Sequence, residues 1–264
     1  VFFMTITNDT INLVQSDLDN LPHFATEQNH TESNLYLNKN LVFKIFKNRN
    51  DIALMKNKEK KIDFLKTSNI EELILPKHKI YIDNLFVGYS SNHFTDSKTL
   101  NSIYYLPLNK KIQILTTVNQ NLESIHENCI ILGDLNADNI LYNNNIIKFA
   151  DVDSANIGDL HCDNYSQALN NQNIDPFKIN TVESDIYLLN LLILKLVLYY
   201  DVENMPAYDK ETFVNDIKAY RLPIEVRNVF THLYDMVNGE EYYGYPHEYL
   251  DTLGKHLIKR NYRN

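Results

Sequence analysis

Apolar residues fall in short runs broken by polar turns over the first third of the chain, and at helical spacing over much of the rest. Residues 1 to about 20 alternate weakly, which predicts an extra strand or a capping segment. From Leu21 to Phe46 the pattern predicts three short strands, near Pro22–Thr26, Asn34–Leu37 and Leu41–Phe46, with Asn38-Lys39-Asn40 as a tight turn. In the third strand Leu41, Phe43 and Ile45 face one way, and Val42, Lys44 and Phe46 the other. Lys44 thus stands among apolar neighbours and needs a counter-charge or a phosphate, because burying an unpaired ammonium is costly. Asp51–Thr67 predicts a helix with Ile52, Met55, Glu59, Ile62 and Lys66 on one stripe. Glu59 is the acid in that stripe, and an inward Glu after a strand with an inward Lys calls for an ion pair. Glu71 and Glu72 are the alternative partners.

Two further strands are predicted near Glu72–Leu75 and Leu85–Tyr89, and the polar stretch Ser90–Asp96 predicts a hinge. Leu108–His126 predicts a helix whose stripe is Ile112, Leu115, Val118, Leu122 and Ile125. His126 closes it, where partial positive charge is favourable. Ser154–Asn180 has no periodicity. A helix opening at Glu183 is apolar nearly all round to Tyr200, the pattern of a helix buried in the middle of a domain. Helices are then predicted at about 210 to 218, 223 to 238 and 246 to 260. The pattern as a whole is α+β.

With 264 residues the chain can form one large domain or two lobes sharing a cleft. A net charge of −9 argues against broad nucleic-acid affinity, which needs a basic footprint. Cys129 and Cys162 have no CxxC spacing, which fits a reducing compartment and argues against a disulfide framework or zinc site. Val1–Met4 is too short an apolar patch for a signal peptide, and Leu191–Tyr200, interrupted by Lys195, is too short to span a bilayer. A cytoplasmic location, in a cell or an infected host, and no membrane partner are the expectations.

The candidate chemistry is concentrated between residues 129 and 158. Apolar runs Ile130–Leu132 and Ile140–Tyr142 flank a polar loop with Asp134, Asp138 and Asn139, and a third run, Ile146–Ala150, delivers Asp151 and Asp153. Carboxylate and amide oxygens at strand ends suit a hard cation such as magnesium, which completes its shell with phosphate and water. Leu132-Gly133-Asp134-Leu135-Asn136-Ala137-Asp138-Asn139 followed by Asp151-Val152-Asp153 resembles the catalytic loop and metal-binding motif of the protein-kinase fold. Ser184-Asp185-Ile186-Tyr187 resembles the start of the central helix of that fold's larger lobe, whose Asp braces the catalytic loop, although Asp185 could also cap its helix. The resemblance runs from about residue 20 to 260 with the motifs in order.

The resemblance implies a bilobal fold, with a β-rich small lobe over residues 1–92 and a mainly helical lobe over 93–264. It implies a phosphotransferase that moves the γ-phosphate of ATP to a hydroxyl acceptor, a protein more than a small molecule. In that reading Asp134 orients the hydroxyl and takes its proton, Asn139 and Asp151 hold magnesium, and Lys44, fixed by Glu59, grips the α- and β-phosphates. Asp153 is either a further metal ligand or a surface Asp in a turn.

The departures also carry information. No Gly precedes Gly88, so the Gly-rich loop is absent from its place near Ala25–Ser33, and the backbone there cannot approach phosphates as closely. Leu132 and Gly133 stand for the motif's His and Arg, which removes the usual partner of a phosphorylated activation loop. Asn136 stands where Ser/Thr kinases carry a Lys. The x-Gly-Asp-Leu form also resembles aminoglycoside and choline kinases. A small-molecule kinase and a non-catalytic binding scaffold are therefore the alternatives to a divergent Ser/Thr kinase.

Overall fold

The computed structural model describes residues 5–7, 9–24, 32–161, 166, 169, 179–198, 210–219, 222–237 and 244–258, and the class is α+β. Six strands form one mixed sheet: β1 (Thr5–Ile6), β2 (Thr10–Leu13), β3 (Ser33–Asn38), β4 (Leu41–Phe46), β5 (Pro76–Ile82) and β6 (Leu85–Asn92). Their order is β1-β2-β5-β6-β4-β3, antiparallel throughout except where β2 runs parallel to β5. The weak alternation at the start of the chain is thus a sheet edge followed by a short helix, α1 (Gln15–Asp19). The β3–β4 hairpin turns at Lys39-Asn40, with Lys39 in the left-handed region at φ 55°. Of the strand expected at Pro22–Thr26, His23 bridges Tyr36 and Phe24 N–H donates to the Leu35 carbonyl, while residues 25 and 26 lie outside the described residues.

The two faces of β4 separate as the alternation requires. Phe43 and Ile45 pack with Ile11, Leu13, Leu18 and Ile80 on one face of the sheet. Phe46 packs with Met55, Ile62, Phe86 and Tyr89 on the other, beneath helix α2 (Ile52–Thr67). The buried face of α2 differs from the predicted stripe. Ile52 is 71% exposed, and the inward positions are Met55, Lys58, Lys61, Ile62 and Leu65. The helix is therefore rotated by about one position, so that Lys58 rather than Glu59 points into the protein.

The strand expected at Glu72–Leu75 also differs. Residues 72 to 74 bond to a different partner: Phe149 N–H donates to the Glu72 carbonyl and Ile74 N–H to the Phe149 carbonyl. The sheet strand begins at Pro76, and its inward positions alternate through His78, Ile80 and Ile82, which the intervening Lys77 and Lys79 disguise. Strand β6 continues through Ser90 and Ser91 to Asn92, so the polar connector starts at His93, whose N–H donates to the Asn40 carbonyl.

The rest of the chain is mainly helical: α3 (Leu108–Glu127), α4 (Val182–Leu198), α5 (Lys210–Ala219), α6 (Ile224–Val237) and α7 (His247–Ile258). Short strands β7 (Lys98–Thr99), β8 (Ile130–Ile131), β9 (Ile140–Asn143), β10 (Ile146–Phe149) and β11 (Asn156–Ile157) lie against these helices. The predicted α3 stripe is buried at all five positions. Along α4, residues 184 to 197 are buried except Lys195. One apolar cluster joins these helices to β9 and β10, and Leu65, Ile70 and Leu73 at the end of α2 belong to it. No described helix is long and apolar enough to cross a membrane.

Candidate functional site

Lys44 sits on β4 directly opposite Tyr89 of β6, and the next pair along the ladder is Ile45 with Gly88. A Cβ on Gly88 would lie 2.0 Å from the Lys44 carbonyl oxygen, so only glycine lets β6 lie this close to the strand that carries the lysine. The Lys44 ammonium bonds to Asp151 and to Oδ1 of Asp153. Asp153 lies in a 3-10 turn, Val152–Ser154, and is fully buried. Its Oδ1 also accepts from the Tyr89 hydroxyl at 2.9 Å, and its Oδ2 from Lys58 at 2.9 Å. Lys58 in turn lies 4.9 Å from the centre of the Phe46 ring and 3.9 Å from Glu32.

These contacts set the charge states. Burial alone would raise the Asp153 carboxyl, but Lys44 and Lys58 outweigh it and hold the group well below the usual carboxylate range. Burial alone would lower Lys44, but Asp151 and Asp153 hold it well above its usual value. Tyr89 is pushed up by burial and by the charge of Asp153. Asp151 differs from Asp153 in being reachable, with 36% of its side chain exposed against none. Its backbone is left-handed at φ 60°, ψ 36°, a conformation Asp adopts more readily than most residues, and this turns the side chain out of β10.

Two expectations are corrected here. Glu59 does not pair with Lys44. It accepts from Lys79 at 3.2 Å and from the Tyr81 hydroxyl, both on β5, which β6 separates from the strand of Lys44. Of the alternatives, Glu72 accepts from Ser124, and the Lys44 ammonium pairs with Asp151 and Asp153 rather than with Glu71. Asp153 is not a surface residue in a turn: it is fully buried, and both of its oxygens accept from lysine and tyrosine donors inside the protein. Lys58 and Tyr89 are the residues the sequence reading missed. The spacing Met55-Lys58-Ile62-Leu65 was the available signal for Lys58, and the charge at position 58 masked it.

The loop that follows β8 is fixed from below. Asp185, in the first turn of α4, accepts from Leu132 N–H at 2.7 Å and from Gly133 N–H at 2.8 Å. Its role is to hold this loop. Oδ2 also receives His126 at 2.9 Å, and the other nitrogen of His126 bonds the Tyr245 hydroxyl at 2.6 Å. His126 is thus more than a helix end. Gly133 adopts φ 70°, which a residue with a side chain would adopt only at a cost. Above this base, Asn136 accepts from Asp138 N–H and Asn139 N–H, and Asn139 donates to both the carbonyl and the carboxylate of Asp134. Asn139 returns through its carbonyl to Ala150 N–H at 2.8 Å, tying the loop to the residue before Asp151.

Lys44, Asn139 and Asp151 all line one cleft of about 560 Å³. Its lining is apolar at Leu35, Val42, Ile74 and Leu141, and includes the connector from Asn92 to Phe94. No protein-family model matches the chain, and no curated protein matches it. The site therefore has to be read from its own chemistry. Asn139 and the exposed Asp151 are two oxygen-bearing groups at one end of the cleft, a set that fits magnesium when phosphate and water fill the remaining positions. Among the described residues no group of three or more His, Cys, Asp or Glu is gathered for a metal, so a cation there depends on a phosphate-bearing partner. Cys162 and most of the Ser154–Asn180 segment lie outside the described residues.

Proposed function

We propose that the chain is an ATP-dependent phosphotransferase of protein-kinase-like design, most simply a divergent Ser/Thr protein kinase. The sheet with α2 would be its small lobe, to about residue 92, and the helices its large lobe. One observation carries this reading. A single cleft is lined by an ammonium, a carboxylate and a carboxamide, by the apolar residues Leu35, Val42, Ile74 and Leu141, and by the connector from Asn92 to Phe94. A nucleotide matches that layout, its base between Leu35, Val42 and Leu141 and its phosphates at Lys44.

In this reading Lys44 would leave Asp151 to contact phosphate oxygens, and Asp151 and Asn139 would hold magnesium, which when bound would neutralise charge on the phosphates. Asp134, oriented by Asn139, accepts a hydrogen bond from the acceptor hydroxyl. As the hydroxyl oxygen bonds to the γ-phosphorus, the bond to the β,γ-bridging oxygen breaks, ADP departs and the hydroxyl proton passes to Asp134. The backbone bonds from Asp185 to Leu132 and Gly133 keep that carboxylate in place without reorganisation during transfer.

The test is transfer of label from γ-labelled ATP with magnesium to generic protein acceptors, to aminoglycoside or choline, and to the chain itself. Label on protein that disappears in Asp134→Ala supports the kinase reading. Label on a small hydroxyl compound alone moves the assignment to a small-molecule kinase. ATP binding without transfer to any acceptor makes the chain a nucleotide-binding scaffold, and absence of binding overturns the proposal.

A further inference from the structure

In the proposed phosphotransferase, a lysine that contacts phosphates needs a fixed counter-charge, and none of the glutamates in or just after α2 provides it. We propose that Asp153 is the positioning residue for Lys44, and that Lys58 and Tyr89 are the anchors that keep Asp153 in place. This inference rests on the functional reading above.

Three observations carry it. First, Asp153 is fully buried, so its position is set by the protein and not by solvent. Second, its two oxygens divide the work: Oδ2 bonds Lys58, while Oδ1 bonds Lys44 and the Tyr89 hydroxyl. Third, among the described residues Asp153 is shared by two cations, Lys44 and Lys58, which also face Asp151 and Glu32. When Lys44 shares its charge between a phosphate and Asp153, the buried carboxylate needs a second cation that stays with it. Lys58 is that cation. It cannot follow the phosphates, because the Phe46 ring and Asp153 hold it behind the cleft wall, where it is 2% exposed. The site therefore works with its polarity reversed, the helix supplying a cation and the metal-loop turn supplying the acid.

The test is a double-mutant cycle on the full chain, with two readouts. Nucleotide affinity is measured with a fluorescent ATP analogue and magnesium for wild type, Asp153→Asn, Lys44→Met and the double variant. Lys44 accessibility is measured without nucleotide, by reductive methylation and mass spectrometry. Asp153→Asn is expected to weaken nucleotide binding by roughly tenfold, and to weaken it no further in the Lys44→Met background, because the two act as one unit. Lys44 methylation is expected to speed up severalfold in Asp153→Asn. Tyr89→Phe, which removes one bond to the same oxygen, should act in the same direction with smaller effect and serves if Asp153→Asn fails to fold. Unchanged Lys44 labelling in both variants overturns the inference, and so do independent losses of affinity in the cycle. Faster labelling in a protein that binds no nucleotide would keep Asp153 as the partner of Lys44 while sinking the phosphotransferase reading.

Discussion

The Lys58 ammonium lies 2.9 Å from Oδ2 of Asp153, so helix α2 delivers a cation to the back of the cleft where an acid was expected. Both side chains are almost wholly removed from water, which makes this pair sensitive to loss of either partner. Lys58→Met should destabilise the fold by about 3 kcal/mol, the usual scale for breaking a buried ion pair. Lys58→Arg should recover part of the loss. Urea unfolding followed by circular dichroism measures both, and an effect below about 0.5 kcal/mol would mark the pair as dispensable.

The same carboxylate makes an acid-stability prediction. The Asp153 pKa is held well below its ordinary value of 3.8, so its contribution is fully present above that pH. The contribution is withdrawn as pH falls below the ordinary value and through the folded one. The stability difference between wild type and Asp153→Asn should therefore be constant from neutral pH to about 4, then shrink by up to about 1.4 kcal/mol per pH unit. Denaturant midpoints for the two proteins between pH 7 and 2.5 check the slope. A gap that widens on acidification would contradict it.

Gly88 has a steric role that its sequence position hides. Gly88→Ala places a methyl group against the Lys44 carbonyl, and backbone cannot rotate away as a side chain can. A cost of about 2 kcal/mol is expected, on the scale of overpacking, together with weaker nucleotide binding because the strand carrying Lys44 is displaced. Thermal melting and the fluorescent ATP titration report the two effects separately. Neither should change if β6 can shift without cost.

Asp185→Asn removes one acceptor and turns an amide N–H₂ toward the backbone donors of the loop. About 2 kcal/mol should be lost, and amide exchange at Leu132 and Gly133 should accelerate more than in helix α3. Hydrogen-exchange mass spectrometry on the peptide covering residues 130 to 135 is the direct measurement. Protection equal to wild type would mean that the loop is held from elsewhere.

For the proposed activity, Asp134→Ala should lower turnover on the order of a hundredfold or more with nucleotide affinity nearly unchanged. Lys44→Ala should weaken nucleotide binding as well as turnover. Equal rates for wild type and Asp134→Ala would show that the measured transfer comes from a contaminant or another site.

What the sequence determined by itself is what depends on neighbours along the chain. Alternation placed Lys44 on the inward face of β4, and the five apolar positions of α3 and the all-round apolarity of α4 predicted their burial. The spacing of Asp134, Asn139 and Asp151 gave a loop and a strand end that meet in space, because the hairpin between them is short. The Asp185 bonds to Leu132 and Gly133 follow the motif as well. What only the tertiary structure decided is how charges pair. On α2 the apolar stripe is narrow, and Glu59 and Lys58 are adjacent, so a rotation of one position exchanges an acid for a base at the same depth. Sequence has no measure of that rotation. It brings Lys58 to Asp153, which the turn after β10 buries under the sheet where Lys44, Lys58 and Tyr89 from three separate elements reach it. A buried carboxylate draws in whichever cations surround it, and those neighbours are chosen by packing rather than by spacing.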